Sequence, residues 1–237
     1  MQAVILAGGL GTRLRPLTEK MPKPMIPVHG RPFLEYELIL LKNHGIDDFI
    51  LSVGYLAEQI ENYFGDGKKH GVSIRYCHDG SNLLGPAGAL KKATSVLDDY
   101  FFVTYGDAYL RLDYQRVMAD FLRSDKLGLM VVYENRNKYG KSDVMVKDGY
   151  VVSYDKKGLG KKVAMTWINF GVSALRKNSL KFIPEDVQCG EEEFYGKLIE
   201  QRELLAYSTK ERFYEIGNPG SLREFEEFIS SENAFPS

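Results

Sequence analysis

The stretch Ala3-Val4-Ile5-Leu6-Ala7-Gly8-Gly9-Leu10-Gly11-Thr12-Arg13-Leu14-Arg15-Pro16, with Pro22-Lys23-Pro24 soon after, decides how this chain is read. The apolar run from Ala3 to Leu6 has the composition of a buried strand. It leads straight into a glycine-rich turn that ends in a hydroxyl and two arginines. Glycine lets the backbone come close to a ligand and adopt positive φ, so several N–H groups can face one anion. Arg13 and Lys23 add full positive charge of the kind a polyphosphate needs. Leu6, Ala7, Gly8, Gly9, Gly11 and Thr12 are therefore candidate nucleotide contacts. A Walker A loop would require G-x-x-x-x-G-K-[ST], which is missing here, and Gly9-Leu10-Gly11 lacks the third glycine of a dinucleotide fingerprint. The plain alternative is a tight strand-to-helix turn carrying surface arginines.

At 237 residues, the chain fits one large α/β domain or two small lobes. Its net charge of −1 gives no global basic field of the kind nucleic-acid binders show. Positive charge must be gathered locally. Two cysteines, Cys77 and Cys189, make no disulfide framework, and no C-x-x-C pair exists. The N-terminus begins the first strand without a basic stretch, and no apolar run approaches membrane-spanning length. The expectation is a cytoplasmic protein with neither membrane nor nucleic-acid partners.

Strand and helix patterns alternate through the first half. Strands are expected at Val4–Leu6, Phe49–Val53, Val72–Cys77 and Tyr100–Tyr105, and helices at Pro32–Asn43, Ala57–Phe64 and Ala87–Leu97. This alternation predicts a parallel sheet with right-handed crossovers. After Asp107 come a helix at Asp113–Arg123, short strands at Leu127–Tyr133, Val144–Val146, Tyr150–Tyr154 and Asn169–Leu175, and helices at Glu191–Gln201 and Ser221–Ser230. Ligands of open α/β sheets sit beyond the carboxyl ends of the strands. Gly8–Arg13 and Asp107 both fall at such ends and can converge on one crevice.

The opening stretch, read as L-A-G-G-x-G-T-R-L-x-P followed by P-K-P, resembles the signature of the sugar-phosphate nucleotidyltransferases, also called nucleotide-sugar pyrophosphorylases. Among short relatives the resemblance is to heptose 1-phosphate guanylyltransferases and N-acetylmuramate 1-phosphate uridylyltransferases. It implies a Rossmann-like three-layer α/β/α fold with a mixed, mostly parallel central sheet. It also implies one nucleotidyltransferase domain over 1–237, with a nucleotide-binding half (about 1–110), a sugar-phosphate half (about 111–220) and a C-terminal helix and tail (221–237). No hexapeptide repeat of a C-terminal β-helix follows. The implied reaction joins a sugar 1-phosphate to an NTP and releases pyrophosphate, with Mg²⁺ as cofactor. Dimers are common in the family, which makes a homodimer an expectation.

Further residues match the family by position. Asp107 of Tyr105-Gly106-Asp107 takes the place of the metal-binding aspartate, with Arg13 and Lys23 as its catalytic companions. Glu215 of Tyr214-Glu215-Ile216-Gly217-Asn218-Pro219 stands where a second metal carboxylate, commonly aspartate, is found. Asp155 and Lys156 resemble an E-K pair that holds sugar hydroxyls and the sugar phosphate, and Asn169 begins an N-x-G segment beside the sugar. Gly85 of Leu84-Gly85-Pro86-Ala87-Gly88-Ala89 lies in the segment that touches the nucleobase. Pro86 replaces its usual threonine, removing a hydroxyl and a backbone N–H. Each has a plainer reading: a turn aspartate for Asp107, an exposed acid for Glu215, a solvated charged loop for Asp155 and Lys156, a strand start for Asn169. The four histidines show no ligand spacing, and no G-x-S-x-G elbow exists. Alternatives are a choline-phosphate-type cytidylyltransferase of the same fold and a non-catalytic nucleotide-sugar-binding regulator.

Overall fold

The computed structural model describes residues 1–80, 84–158 and 165–231. Strand β1 (Gln2–Leu6) opens into the glycine loop, which carries three single-turn 3-10 segments and a small ribbon of β2 (Pro27–Val28) against β3 (Arg31–Pro32). Helix α1 (Phe33–Asn43), β4 (Asp48–Val53), α2 (Ala57–Phe64), β5 (Ser73–His78), α3 (Gly85–Lys92) and β6 (Tyr100–Tyr105) follow. The second half holds β7 (Ala108–Leu110), α4 (Tyr114–Leu122), β8 (Gly128–Glu134), the hairpin β9 (Val144–Lys147) and β10 (Tyr150–Tyr154), and β11 (Trp167–Arg176). Helix α5 (Glu191–Glu200), β12 (Leu204–Thr209), β13 (Phe213–Glu215) and α6 (Pro219–Ser231) complete it.

Nine strands form one sheet in the order β5-β4-β1-β6-β11-β8-β12-β10-β9. Strands β5, β4, β1 and β6 are parallel, as the alternation predicts. Strand β11 runs antiparallel to both β6 and β8, while β12 is parallel to β8. The sheet is therefore mixed: four neighbouring pairs are parallel and four antiparallel, so the expected predominance of parallel pairing holds only in its first half. Side chains alternate between its faces. Ala3, Ile5, Phe49, Leu51 and Phe102 pack with α1, α2, α4 and α6 on one face. Val4, Ile50, Phe101 and Val103 pack with α3 and α5 on the other. The result is three layers, with helices covering both faces.

Boundaries set by local chemistry fall where the sequence places them. Asp113 caps α4 by accepting the Arg116 N–H at 2.9 Å. The β9–β10 hairpin turns at Asp148-Gly149, both with positive φ, the backbone that a tight two-residue hairpin requires. Three differences are informative. The helix expected through Leu97 ends at Lys92 and gives way to a 3-10 turn, where the Thr94 hydroxyl back-bonds to the Lys91 carbonyl. Strand β12 is absent from the sequence reading because Leu204-Leu205-Ala206-Tyr207 has no alternation, and its long-range pairing with β8 fixes it. The three-residue pair β7–β13, Ala108 opposite Glu215, is too short to leave a pattern.

Strand β11 breaks register between Asn169 and Ser173. Gly171 takes a φ of +75° there, and the Asn169 side chain accepts the Gly171 N–H at 2.9 Å. A Cβ on Gly171 would lie 2.7 Å from Tyr105 Cδ2. At Gly149, with a φ of +78°, a Cβ would meet nothing within 4 Å. Chemical denaturation separates the two effects. Gly149→Ala should cost only the left-handed backbone penalty, about 1–2 kcal/mol. Gly171→Ala should cost visibly more, about 2–4 kcal/mol, because ring contact adds to it. Equal losses at the two positions would mean that the Tyr105 contact carries no weight.

Candidate active site

A cleft of about 380 Å³ opens at the carboxyl ends of β1, β4 and β6. Leu6, Ala7, Gly8, Gly9, Gly11, Thr12, Arg13, Lys23, Gly85 and Asp107 all line it, so every residue expected at the nucleotide or at catalysis is brought to one place. Strand pairing explains the convergence. Leu6 sits opposite Tyr105, the Gly106 N–H donates to the Leu6 carbonyl at 3.0 Å, and the Ala7 N–H donates to the Ser52 carbonyl at 2.8 Å. A Cβ on Gly106 would stand 3.1 Å from Pro24 Cγ and 3.3 Å from Ala7 Cβ. The glycine lets three segments meet and seats Lys23 beside Asp107.

The two are ion-paired, Lys23 Nζ to Asp107 Oδ2, with the lysine largely shielded from solvent. Gly11 has a φ of +60°, and its carbonyl accepts the Thr18 hydroxyl at 2.8 Å, which fixes the turn. Arg13 reaches the loop after β13: its Nη2 lies 3.1 Å from where a Cβ on Gly217 would stand. Beneath this charge lies Glu37 of α1, fully buried, with both carboxyl oxygens lacking a hydrogen-bond partner among the described residues. Burial raises its carboxyl well above the usual carboxylate range, the Thr104 hydroxyl opposes this, and Asp107 adds to it. Burial thus favours the uncharged form of Glu37.

Asp155, Lys156, Asn169 and Glu215 do not line the cleft. Lys156 is ion-paired with Glu191, the first residue of α5, and its ammonium stands 5.4 Å from the centre of the Tyr105 ring. Burial alone would lower the Lys156 ammonium, but Glu191, with Asp107 and Asp143 behind it, raises it above the ordinary lysine range. Glu191 also accepts the Tyr105 hydroxyl and is itself nearly buried. Sequence reading passed it over, since Glu191-Glu192-Glu193 after Gly190 looks like ordinary helix-start acidity. The Asp155 N–H donates to the Asp143 carbonyl at 2.8 Å. The side chain of Asn169, expected to meet a sugar hydroxyl, is occupied: it accepts from Gly171 and donates to the Tyr154 hydroxyl at 3.3 Å. The Glu215 carboxylate turns back on its own loop, accepting the Gly217 N–H at 2.5 Å.

The β7–β13 pairing nevertheless carries Glu215 alongside Asp107, whose carbonyl accepts the Ile216 N–H at 3.1 Å. Among the described residues, no group of three or more His, Cys, Asp or Glu side chains gathers to hold a metal. Two hard carboxylates on paired strands are donors of the type that suits a divalent cation.

Comparison with known proteins fits this geometry. The nucleotidyl transferase family matches residues 2–232. The chain is 35% identical over 201 residues to a UTP–glucose-1-phosphate uridylyltransferase of Synechocystis, covering 78% of this chain and 51% of that protein. It is 32% identical over 229 residues to the D-glycero-alpha-D-manno-heptose 1-phosphate guanylyltransferase of Aneurinibacillus thermoaerophilus, covering 94% and 96%. Among solved structures, HddC from Yersinia pseudotuberculosis complexed with GMP-PN superposes with a TM-score of 0.78 at 27% identity, over 96% of this chain and 99% of that one. The chain belongs to the nucleotidyl transferase family. It spans about half the length of the cyanobacterial relative and nearly the whole of the heptose enzyme. No helix among the described residues is long and apolar enough to cross a membrane.

Asp143 offers a test of the second half of the site. It is buried, and burial pushes its carboxyl up to about 6, although its Oδ1 accepts the Asn169 N–H. The folded protein therefore binds this proton more tightly than the unfolded chain, and the group's contribution falls as pH rises from about 4 to about 6. Asp143→Asn removes that loss. Relative to wild type, the variant should gain stability across this window, by about 2–3 kcal/mol at pH 7. Urea titrations at pH 4 and pH 7 check it, and a pH-independent difference would contradict the burial account.

Proposed function

We propose that this enzyme joins a sugar 1-phosphate to a nucleoside triphosphate, giving a nucleotide sugar and pyrophosphate. The observation that carries the reading is the convergence of the glycine loop, Arg13, Lys23 and Asp107 on one cleft, with Lys156 next to it. The nucleophile, a phosphate oxygen of the sugar phosphate, is already ionised at neutral pH. It needs no general base. The obstacle is repulsion between two polyanions, so the protein must position them and neutralise charge.

The loop N–H groups and Arg13 would hold the pyrophosphate that leaves. Lys23 would move from Asp107 to the α-phosphate, where charge develops during in-line attack. Lys156 would leave Glu191 for the incoming phosphate, with the Tyr105 hydroxyl holding Glu191 in place. Asp107 and Glu215 are the residues that would hold Mg²⁺, which supplies charge neutralisation at the phosphates when bound. The cytoplasm is the proposed compartment, in keeping with two cysteines that are both free.

Pyrophosphate release measured with each NTP against a panel of sugar 1-phosphates tests the reading. Failure of every pair to release pyrophosphate would overturn it. Asp107→Asn should lower turnover by about 10²–10³-fold, the scale of losing one transition-state charge partner, in a protein that stays folded by circular dichroism but melts at a lower temperature because Lys23 loses its ion pair. Lys156→Met should raise KM for the sugar phosphate about tenfold or more and leave KM for the nucleotide near wild type, since a charged contact to one substrate is lost. Equal effects on both substrates would remove Lys156 from that role.

A further inference from the structure

Arg212 stands just before β13 and has no part in the site described above, yet its guanidinium reaches both halves of the chain. Its Cζ lies 4.8 Å from the centre of the Tyr139 ring and 4.7 Å from that of Tyr214, over both rings. Tyr139 belongs to the segment between β8 and β9, in the second half of the chain. Tyr214 is the middle residue of β13, next to Glu215. The Arg212 Nε is shut from solvent without a hydrogen-bond partner among the described residues, so ring contact is what holds that part of the side chain. One Nη pairs with Glu224 of α6 at 2.5 Å, but both side chains are exposed enough for water and salt to weaken the pair. Lys138 also stands over Tyr139, at 4.7 Å, but it sits in the same segment as the ring, so that contact joins the segment only to itself.

Strand β13 is the fixed side of this contact. Phe213 stacks on Phe170 of β11, Tyr214 stacks on Phe228 of α6 with centroids 4.1 Å apart, and the Ile216 N–H donates to the Asp107 carbonyl. The segment 135–143 is rigid within itself. Asn135 is buried, its amide donates to the Gly140 carbonyl at 2.7 Å and the Ser142 hydroxyl at 3.1 Å, and its oxygen accepts the Tyr139 N–H at 2.9 Å. Its last residue, Asp143, accepts the Asp155 N–H on its carbonyl and the Asn169 N–H on its carboxylate, at 2.8 and 3.0 Å. A rigid body thus ends on the backbone beside Lys156. Its place relative to β13 is set at Tyr139, whose ring meets Arg212 and, edge-on at 5.9 Å, Phe213.

We infer that Arg212 is a positioning residue, which pins the segment 135–143 to β13 and so holds Lys156 at a fixed spacing from the strand end that carries Asp107. It touches neither substrate. It acts through Tyr139, the Asn135 hydrogen bonds and Asp143. The place calls for a guanidinium, a planar cation that can lie against aromatic rings and still reach Glu224 with one nitrogen. A lysine would keep the charge and lose the flat contact. The inference rests on the reaction proposed above, in which Lys156 takes the sugar phosphate.

Hydrogen exchange and steady-state kinetics on the full chain test it together. In Arg212→Ala the amides of 136–143 should exchange about tenfold faster, with those of the nine-stranded sheet unchanged. KM for the sugar phosphate should rise about fivefold or more, and KM for the nucleotide should stay within about twofold of wild type, because a cation–π contact is lost on one side of the site only. Arg212→Lys should behave like Arg212→Ala, and Glu224→Gln like wild type. Tyr139→Leu should reproduce the Arg212→Ala changes, and the double variant should add little to either. Unchanged exchange in Arg212→Ala overturns the inference. So does full rescue by lysine, which would leave the ion pair as the whole role, or an equal rise in both KM values, which would mean general loosening. Additive losses in the double variant overturn it too. Should Arg212→Ala fail to fold, Arg212→Lys carries the test. Faster exchange in a chain that releases pyrophosphate from no pair of substrates keeps the pin and sinks the reaction it would serve.

Discussion

The parallel pairing of β1 with β6 is the constraint on which everything in the site depends. It sets Leu6 beside Tyr105 and joins the Gly106 N–H to the Leu6 carbonyl. Residues a hundred positions apart thus leave neighbouring strands at the same level. One strand ends in a glycine turn that can approach an anion, the other in a carboxylate. A one-residue slip would turn Ala3 and Ile5 to the wrong face and part the two ends. Burial on both faces of β1 forbids that slip. The apolar core thereby fixes the geometry of the cleft as well as the stability.

Lysine charge in and beside this cleft is kept in internal pairs. Lys23 is held by Asp107, and Lys156 by Glu191. A shielded lysine without a partner would lose its proton or pull the structure apart. Paired, it is held in place. The pairs also fit the chemistry of two polyanionic substrates, since each lysine has a stronger acceptor to move to once a phosphate arrives. Glu37, buried near Asp107, has its carboxyl raised by burial and by Asp107, which favours the uncharged form there.

Features legible in the sequence were those that local chemistry writes. The glycine turn, the Gly106-Asp107 strand end, the Ala57–Phe64 helix and the Asp148-Gly149 hairpin all follow from propensity, capping or forced φ. What stayed hidden depends on partners far along the chain. Glu191 reads as a helix-start acid until Tyr105 and Lys156 are seen to reach it. Asn169 reads as a free polar group until Gly171 in the β11 bulge takes its amide oxygen and the Tyr154 hydroxyl of β10 takes its amide nitrogen. The Glu215 carboxylate is drawn back by a backbone N–H two residues on, which no spacing rule reveals. Nothing in the sequence says that the Asp79 carboxylate is buried.

Tyr105 shows why the two halves of this chain act as one site. Its backbone is the partner of Leu6, so it belongs to the nucleotide side. Its ring fills the space that Gly171 leaves in β11 and faces the Lys156 ammonium, which ties it to the other side. Its hydroxyl donates to Glu191, and burial keeps that hydroxyl protonated, with Glu191 adding to the effect. One side chain therefore sets where Glu191 lies, Glu191 sets where Lys156 waits, and the β11 bulge exists to admit the ring. A movement of Lys156 is coupled through Tyr105 to the same strand end that carries Asp107, and a single tyrosine between the two makes their relative position reproducible.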